Sequence, residues 1–110
     1  MPRAATTSDV FNAIAETSRR SILAYLAERE RPVNDVCADL NLPQPSVSKH
    51  LKVLREVGLV QTRREGRQVF YRTNASALRP VHEWSSLFER YWLRQLTRVK
   101  ERAERGAGIR

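Results

Sequence analysis

A chain of 110 residues with 20 basic and 12 acidic side chains, net +8, makes a polyanion the first partner to consider. The length predicts one domain over 1–110 that buries only roughly two-thirds of its unfolded surface, so a homodimer is expected to supply further burial. Cys37 stands alone, excluding an internal disulfide and a multi-thiolate metal site, and with only His50 and His82 beside it no catalytic constellation forms, so no enzyme is expected.

Met1 to Ser8 lacks the apolar core of a signal peptide, and no segment approaches the roughly 20 apolar residues of a membrane span. A cytoplasmic, nucleoid-associated chain with no membrane partner is therefore expected. Ser8 or Asp9 is suited to cap a first helix bearing Val10, Phe11 and Ile14. Thr17 or Ser18 is suited to cap a second, bearing Ile22, Leu23 and Leu26. Arg29 to Pro32 reads as a polar break. Val33, Val36 and Leu40 mark a third, short helix ending near Asn41.

The segment Asn41 to Val60, NLPQPSVSKHLKVLREVGLV, leads through a tight turn into a fourth helix with two different faces. Val47, Leu51 and Leu54 recur at i, i+4 and i+7, the stripe by which a helix holds to its core. At about 100° per residue, Pro45, Ser48, Lys49 and Lys52 project from the other side. Gln44 and Ser46 occupy the first turn, where backbone amides and the helix dipole favour a phosphate. His50 flanks the apolar face, within reach of a phosphate. Gly58 is placed as the helix stop, because glycine takes the left-handed conformation without a side-chain penalty. Residues 33–57 thus form a helix-turn-helix, whose second helix suits a DNA groove.

Beyond Gly58 the period changes to two. Leu59 to Arg63 and Gln68 to Thr73 form a β-hairpin with Arg64, Glu65, Gly66 and Arg67 at its tip, a wing over 59–73. Val69 and Tyr71 fall on one face and Phe70 on the other. Arg63, Arg64 and Arg67, at or beside the tip, are placed to touch phosphate or the minor groove. Charge follows the same division: residues 1–43 hold five basic and six acidic side chains, whereas residues 44–73 hold seven basic and two acidic. Residues 74–110 carry eight basic and four acidic, but the signs alternate as on a solvated helix face.

From Pro80, one long helix over about 80–105 is expected, with Val81, Trp84, Phe88, Tyr91, Leu96 and Val99 in an apolar stripe widened by Leu87 and Trp92. The cover expected for this stripe is the first helix of a partner subunit, bringing Phe11 and Ile14 against Trp84, Phe88, Tyr91 and Trp92 across a two-fold axis. The alternative use of these aromatics is a pocket for a small apolar effector. Cys37 reads as a small buried hydrophobe, with a redox switch as its alternative. His82 reads as a surface residue.

These segments resemble the ArsR/SmtB winged-helix repressors. ETSRRSIL at Glu16 to Leu23 is similar to the family's second-helix opening, QPSVSKHLKVLREVGLV to its recognition helix, and REGRQVFYR at Arg64 to Arg72 to its wing. The resemblance implies a mainly α fold with a small β-hairpin wing, a homodimeric winged helix-turn-helix that represses transcription. It also implies that Gln44, Pro45, Ser48 and Lys49 read bases. Departures accompany it. Thr17 stands where the family often has proline, and Pro43 stands where it often has a serine cap. In metal-sensing members the third helix carries two thiolates at the places held here by Val36 and Ala38, with Cys37 falling between them. The other familiar site, Asp, His and Glu on the last helix, finds only His82. No metal site and no cofactor are expected, since zinc needs about four ligands in a structural site.

The sequence therefore reads as a sequence-specific, DNA-binding repressor that holds an inverted repeat of double-stranded DNA as a homodimer, with no small-molecule effector indicated. The competing reading is a winged-helix module for protein interaction, because a fold does not dictate its use.

Overall fold

Thr6 starts the first helix. Its hydroxyl accepts the Asp9 amide at 3.2 Å and the Asp9 carboxylate accepts the Thr6 amide at 2.9 Å, a reciprocal capping box that begins α1 at Thr7–Ile14. The expected caps, Ser8 and Asp9, thus fall inside the helix, because the pair spaced i, i+3 satisfies two amides where either alone satisfies one. The same holds at α2, Thr17–Glu28: the cap is Glu16, whose carboxylate accepts the Arg19 amide at 3.0 Å, in place of Thr17 or Ser18. The computed structural model describes residues 5–108.

Arg31–Pro32, expected to be part of a polar break, forms a two-residue strand, β1, paired antiparallel with β3, Gln68–Thr73, at Arg31 to Tyr71 and Pro32 to Phe70. Proline is tolerated there because β1 is an edge strand. Helix α3 follows at Val33–Leu40 and ends on Asn41, which adopts the left-handed conformation at φ 53°. Leu42 and Pro43 complete the turn into α4, Gln44–Val57. Gly58 stops α4 at φ 87°, as its position predicted.

The hairpin consists of β2, Val60–Glu65, and β3, Gln68–Thr73, in a sheet of order β1-β3-β2. Its strands reach further than expected: Arg64 pairs with Val69 and Glu65 with Gln68, which leaves Gly66 and Arg67 as a two-residue turn. Gly66 takes φ 62° at the first turn position, the backbone that a tight hairpin of this kind requires.

The core holds Ile22 and Leu26 from α2, Val36 from α3, Val47, Leu51 and Leu54 from α4, and Leu59 and Val60 at the hairpin base. Every member of the predicted α4 stripe is buried. Two side chains moor the hairpin. The buried Thr73 hydroxyl donates to the Leu23 carbonyl at 2.7 Å, and the Asn74 amide donates to the Gly58 carbonyl at 3.1 Å. A buried hydroxyl requires such a partner, so the base of the wing is fixed to α2 and to the end of α4.

After a short 3-10 turn at Ala75–Leu78, helix α5 runs over Arg79–Ser86 and helix α6 over Glu89–Gly108. The chain divides into two compact units after Pro80. The single long helix expected from Pro80 is broken at Leu87 and Phe88. Ser85 and Ser86 hydroxyls both donate to the His82 carbonyl, at 3.2 and 2.7 Å. The Leu87 and Phe88 amides then bond three residues back, to Trp84 and Ser85. Serine back-bonding of this kind bends helices, and a stripe of apolar spacing carries no sign of it. Within the second unit, Trp84, Tyr91, Trp92, Leu96 and Val99 are each more than half exposed. No described helix is long and apolar enough to cross a membrane.

Candidate nucleic-acid interface

Burial divides α4 as its sequence period predicts. Gln44, Pro45, Ser48, Lys49 and Lys52 are exposed, while Val47, Leu51 and Leu54 face the core. Ser46, in the first turn, is half-buried. Pro43 provides no side-chain cap, so the first-turn amides lack a hydroxyl partner at the end where a phosphate is best accommodated. Arg55, exposed and one turn beyond Lys52, extends the basic face and was not among the expected residues. Continuing the same helical spacing for one more turn reaches it.

A groove of about 530 Å³ runs between α4 and the sheet, lined by Ser48, Leu51, Lys52, Arg55, Glu56 and Tyr71. Strand alternation alone places Tyr71 on a packing face with Val69. Tyr71 is half-buried on β3, opposite Thr62, and brings the hairpin to the edge of the helix face. The arrangement joins a helix with projecting amide, hydroxyl and ammonium groups to a basic hairpin, the combination that major-groove reading with flanking backbone contact requires.

The three arginines expected at or beside the wing tip differ. Arg67 lies in the turn and Arg64 on β2, both exposed. Arg63 is also about half exposed, but its guanidinium is engaged: it donates to both Glu30 carboxylate oxygens, at 2.5 to 3.1 Å, and to Glu65 at 3.0 Å, and lies 4.8 Å over the Phe70 ring. Hydrogen bonding from Arg63 holds the Glu30 carboxyl below its ordinary range, and the pairing raises Arg63. Glu30 lies 33 residues from Arg63 in sequence, with no local signal to connect them.

His50 turns inward. Its Nε2 is 3.8 Å from the Glu16 carboxylate and its side chain is four-fifths covered, so it faces the cap of α2. The Glu16 carboxyl is held below its ordinary range, chiefly by the Arg19 amide that it accepts. Cys37 is a half-buried free thiol. Among the described residues no group of three or more His, Cys, Asp or Glu is arranged to hold a metal ion.

Known proteins share this pattern. Residues 16–62, from the cap of α2 through the first half of β2, match the family described as bacterial regulatory protein, arsR family. The HTH-type transcriptional regulator KmtR of Mycobacterium tuberculosis is 42% identical over 73 residues, covering 66% of this chain and 56% of that protein. The chain thus spans little more than half the length of that relative. The transcriptional repressor SdpR of Bacillus subtilis is 30% identical over 77 residues, covering 70% of this chain and 86% of that protein. Among solved structures, a homodimeric winged helix-turn-helix DNA-binding domain from Mycobacterium bovis aligns with a TM-score of 0.64 at 29% identity, over 74% of this chain and 77% of that one. A helix-turn-helix at α3 and α4, a hairpin wing behind it and sequence likeness across most of a full-length repressor agree, and the chain belongs to the ArsR family of bacterial regulatory proteins.

Proposed function

We propose that the protein is a transcriptional repressor that reads double-stranded DNA with α4, holds the backbone with its wing, and binds an inverted-repeat operator as a homodimer. The observation that carries this reading is the exposed face of Gln44, Pro45, Ser48, Lys49, Lys52 and Arg55 beside the basic hairpin. Gln44 presents a carboxamide suited to an adenine edge and Lys49 an ammonium suited to guanine, while Arg64 and Arg67 supply phosphate or minor-groove attraction. His50, drawn to Glu16, and Arg63, held by Glu30 and Glu65, have the least freedom to join them.

Dimerisation is supported by the apolar surface of the second unit, where Trp84 is 55%, Trp92 52% and Leu96 65% exposed in a single chain. Contiguous surface of that kind marks an interface. The homodimeric Mycobacterium bovis relative supports dimerisation as such, and the arrangement proposed sets Phe11 and Ile14 of one subunit against Trp84, Phe88, Tyr91 and Trp92 of the other. The decisive experiment is selection of bound duplexes from a random pool, followed by sedimentation of the complex. An inverted repeat with half-sites about one helical turn apart, or a multiple, and two subunits per site is expected. Recovery of no consensus, with binding independent of salt, would favour a protein-interaction role.

A further inference from the structure

Strand alternation separates two neighbouring arginines that look equivalent in sequence. Arg64 pairs with Val69 and shares its face of the sheet with Thr62 and Tyr71, the face that borders the α4 groove. Arg63 pairs with Phe70 and lies on the opposite face. There its side chain leaves the outer strand β2, crosses the Phe70 ring of the central strand β3, and meets Glu30 just ahead of β1 on the far edge. Two inter-strand spacings, roughly 10 Å, are spanned by this one pair. Glu65, two residues along β2, takes the remaining side of the guanidinium. The cation thus has two carboxylates and an aromatic face as partners. The pair also ties the loop before β1 to the hairpin.

We infer that Arg63 and Glu30 are positioning residues for the wing, lacing the sheet from edge to edge so that Arg64 and Arg67 are presented to DNA, and that Arg63 is not itself a phosphate ligand. This rests on the DNA-binding reading above. A forked guanidinium fixes direction as well as distance, which a flexible ammonium does not. Paired with two carboxylates, Arg63 adds no net positive charge to the wing, so that the cations offered on the groove-bordering face and at the turn are Arg64 and Arg67, while the exposed Arg72 lies on Arg63's face beside the same Glu30.

The test compares Glu30→Gln, Arg63→Gln, the double variant and Arg64→Gln. Each is titrated with operator and scrambled duplex at several salt concentrations, and hairpin amide hydrogen exchange is measured without DNA. Glu30→Gln and Arg63→Gln are expected each to weaken operator binding roughly two- to fivefold, the range of an exposed ion pair, with the double variant no weaker than either. Both should leave the salt slope unchanged and hasten exchange in residues 60–73 while sparing α2 and α4. Arg64→Gln should instead flatten the slope by about 0.9 per subunit and leave hairpin exchange as in the wild type. Tighter binding by Glu30→Gln, or a slope flattened by Arg63→Gln as by Arg64→Gln, would show that Arg63 is a phosphate ligand restrained by Glu30, and would overturn the inference. Unchanged hairpin exchange in both Glu30→Gln and Arg63→Gln would also overturn it. If no variant, Arg64→Gln included, alters DNA binding, the DNA-binding reading fails, while exchange still decides whether the pair holds the hairpin.

Discussion

Replacing Gln44 and replacing Arg64 and Arg67 of the wing should damage DNA binding in different ways, and the difference follows from where these groups lie. Gln44 opens α4, exposed at the end proposed to enter a groove, and a bidentate contact with an adenine is worth about 1 to 3 kcal/mol per half-site. Gln44→Ala should therefore cost that much on the operator and far less on random duplex, with the salt slope unchanged. Arg64 and Arg67 lie in the hairpin and, among the described residues, lack the carboxylate partners that enclose Arg63. In a dimer their double replacement removes four cations, which should flatten the slope of log K against log salt by about 3.6. Between 50 and 200 mM salt, binding by the double variant should then fall by about two decades less than that of the wild type. Fluorescence anisotropy with labelled operator and scrambled duplex, at four salt concentrations, measures both effects. Equal loss on the two duplexes for Gln44→Ala, or an unchanged slope for Arg64→Ala/Arg67→Ala, would refute the assignment of base reading to α4 and backbone attraction to the wing.

Three further outcomes are expected. Trp92→Ala, at a side chain 52% exposed in the single chain, should leave the monomer fold intact but remove about 3 to 5 kcal/mol of association if the indole is enclosed between subunits. Sedimentation at micromolar concentration would show monomer, whereas an unchanged dimer places the interface elsewhere. Gly58→Ala should destabilise by about 1 to 2 kcal/mol in urea unfolding, because φ is 87° while nothing lies within 4 Å of the added methyl, so that the cost is conformational. Asn at the same position should cost less. The lowered Glu16 carboxyl contributes stability that is complete above its ordinary 4.5 and is lost as pH falls through the lower folded value. Glu16→Gln should make unfolding less dependent on pH in that acid range, and an unaltered pH profile would show that the cap's charge is not what stabilises α2.

How far the fold could be read from the chain depended on the range of the interactions that decide each part. The two faces of α4 follow from a helical period acting on Val47, Leu51 and Leu54, and its end follows from one glycine, so both were legible. The caps were misplaced by a few residues because Thr6, Ser8 and Asp9 all suit the position. Only the reciprocal bonding of Thr6 with Asp9 selects among them. The break between α5 and α6 was hidden because the apolar spacing continues past it; it coincides with the Leu87 and Phe88 amides bonding three residues back, next to the Ser85 and Ser86 hydroxyls on the His82 carbonyl. Strand β1 was illegible for a different reason: two residues ending in proline have no strand propensity of their own, and β3 supplies their pairing.

The wing shows the same limit within a functional site. Period-two alternation was visible in the sequence and already separates Arg63 from Arg64, but composition alone counted both as available cations. What distinguishes them is Glu30, brought across the sheet by the pairing of β1 with β3. A carboxylate located elsewhere in the chain thus engages one arginine of a basic motif without changing the motif. On the reading proposed, the wing's phosphate contacts come from cations without such partners, which makes salt dependence a sharper probe of Arg63, Arg64 and Arg67 than affinity alone.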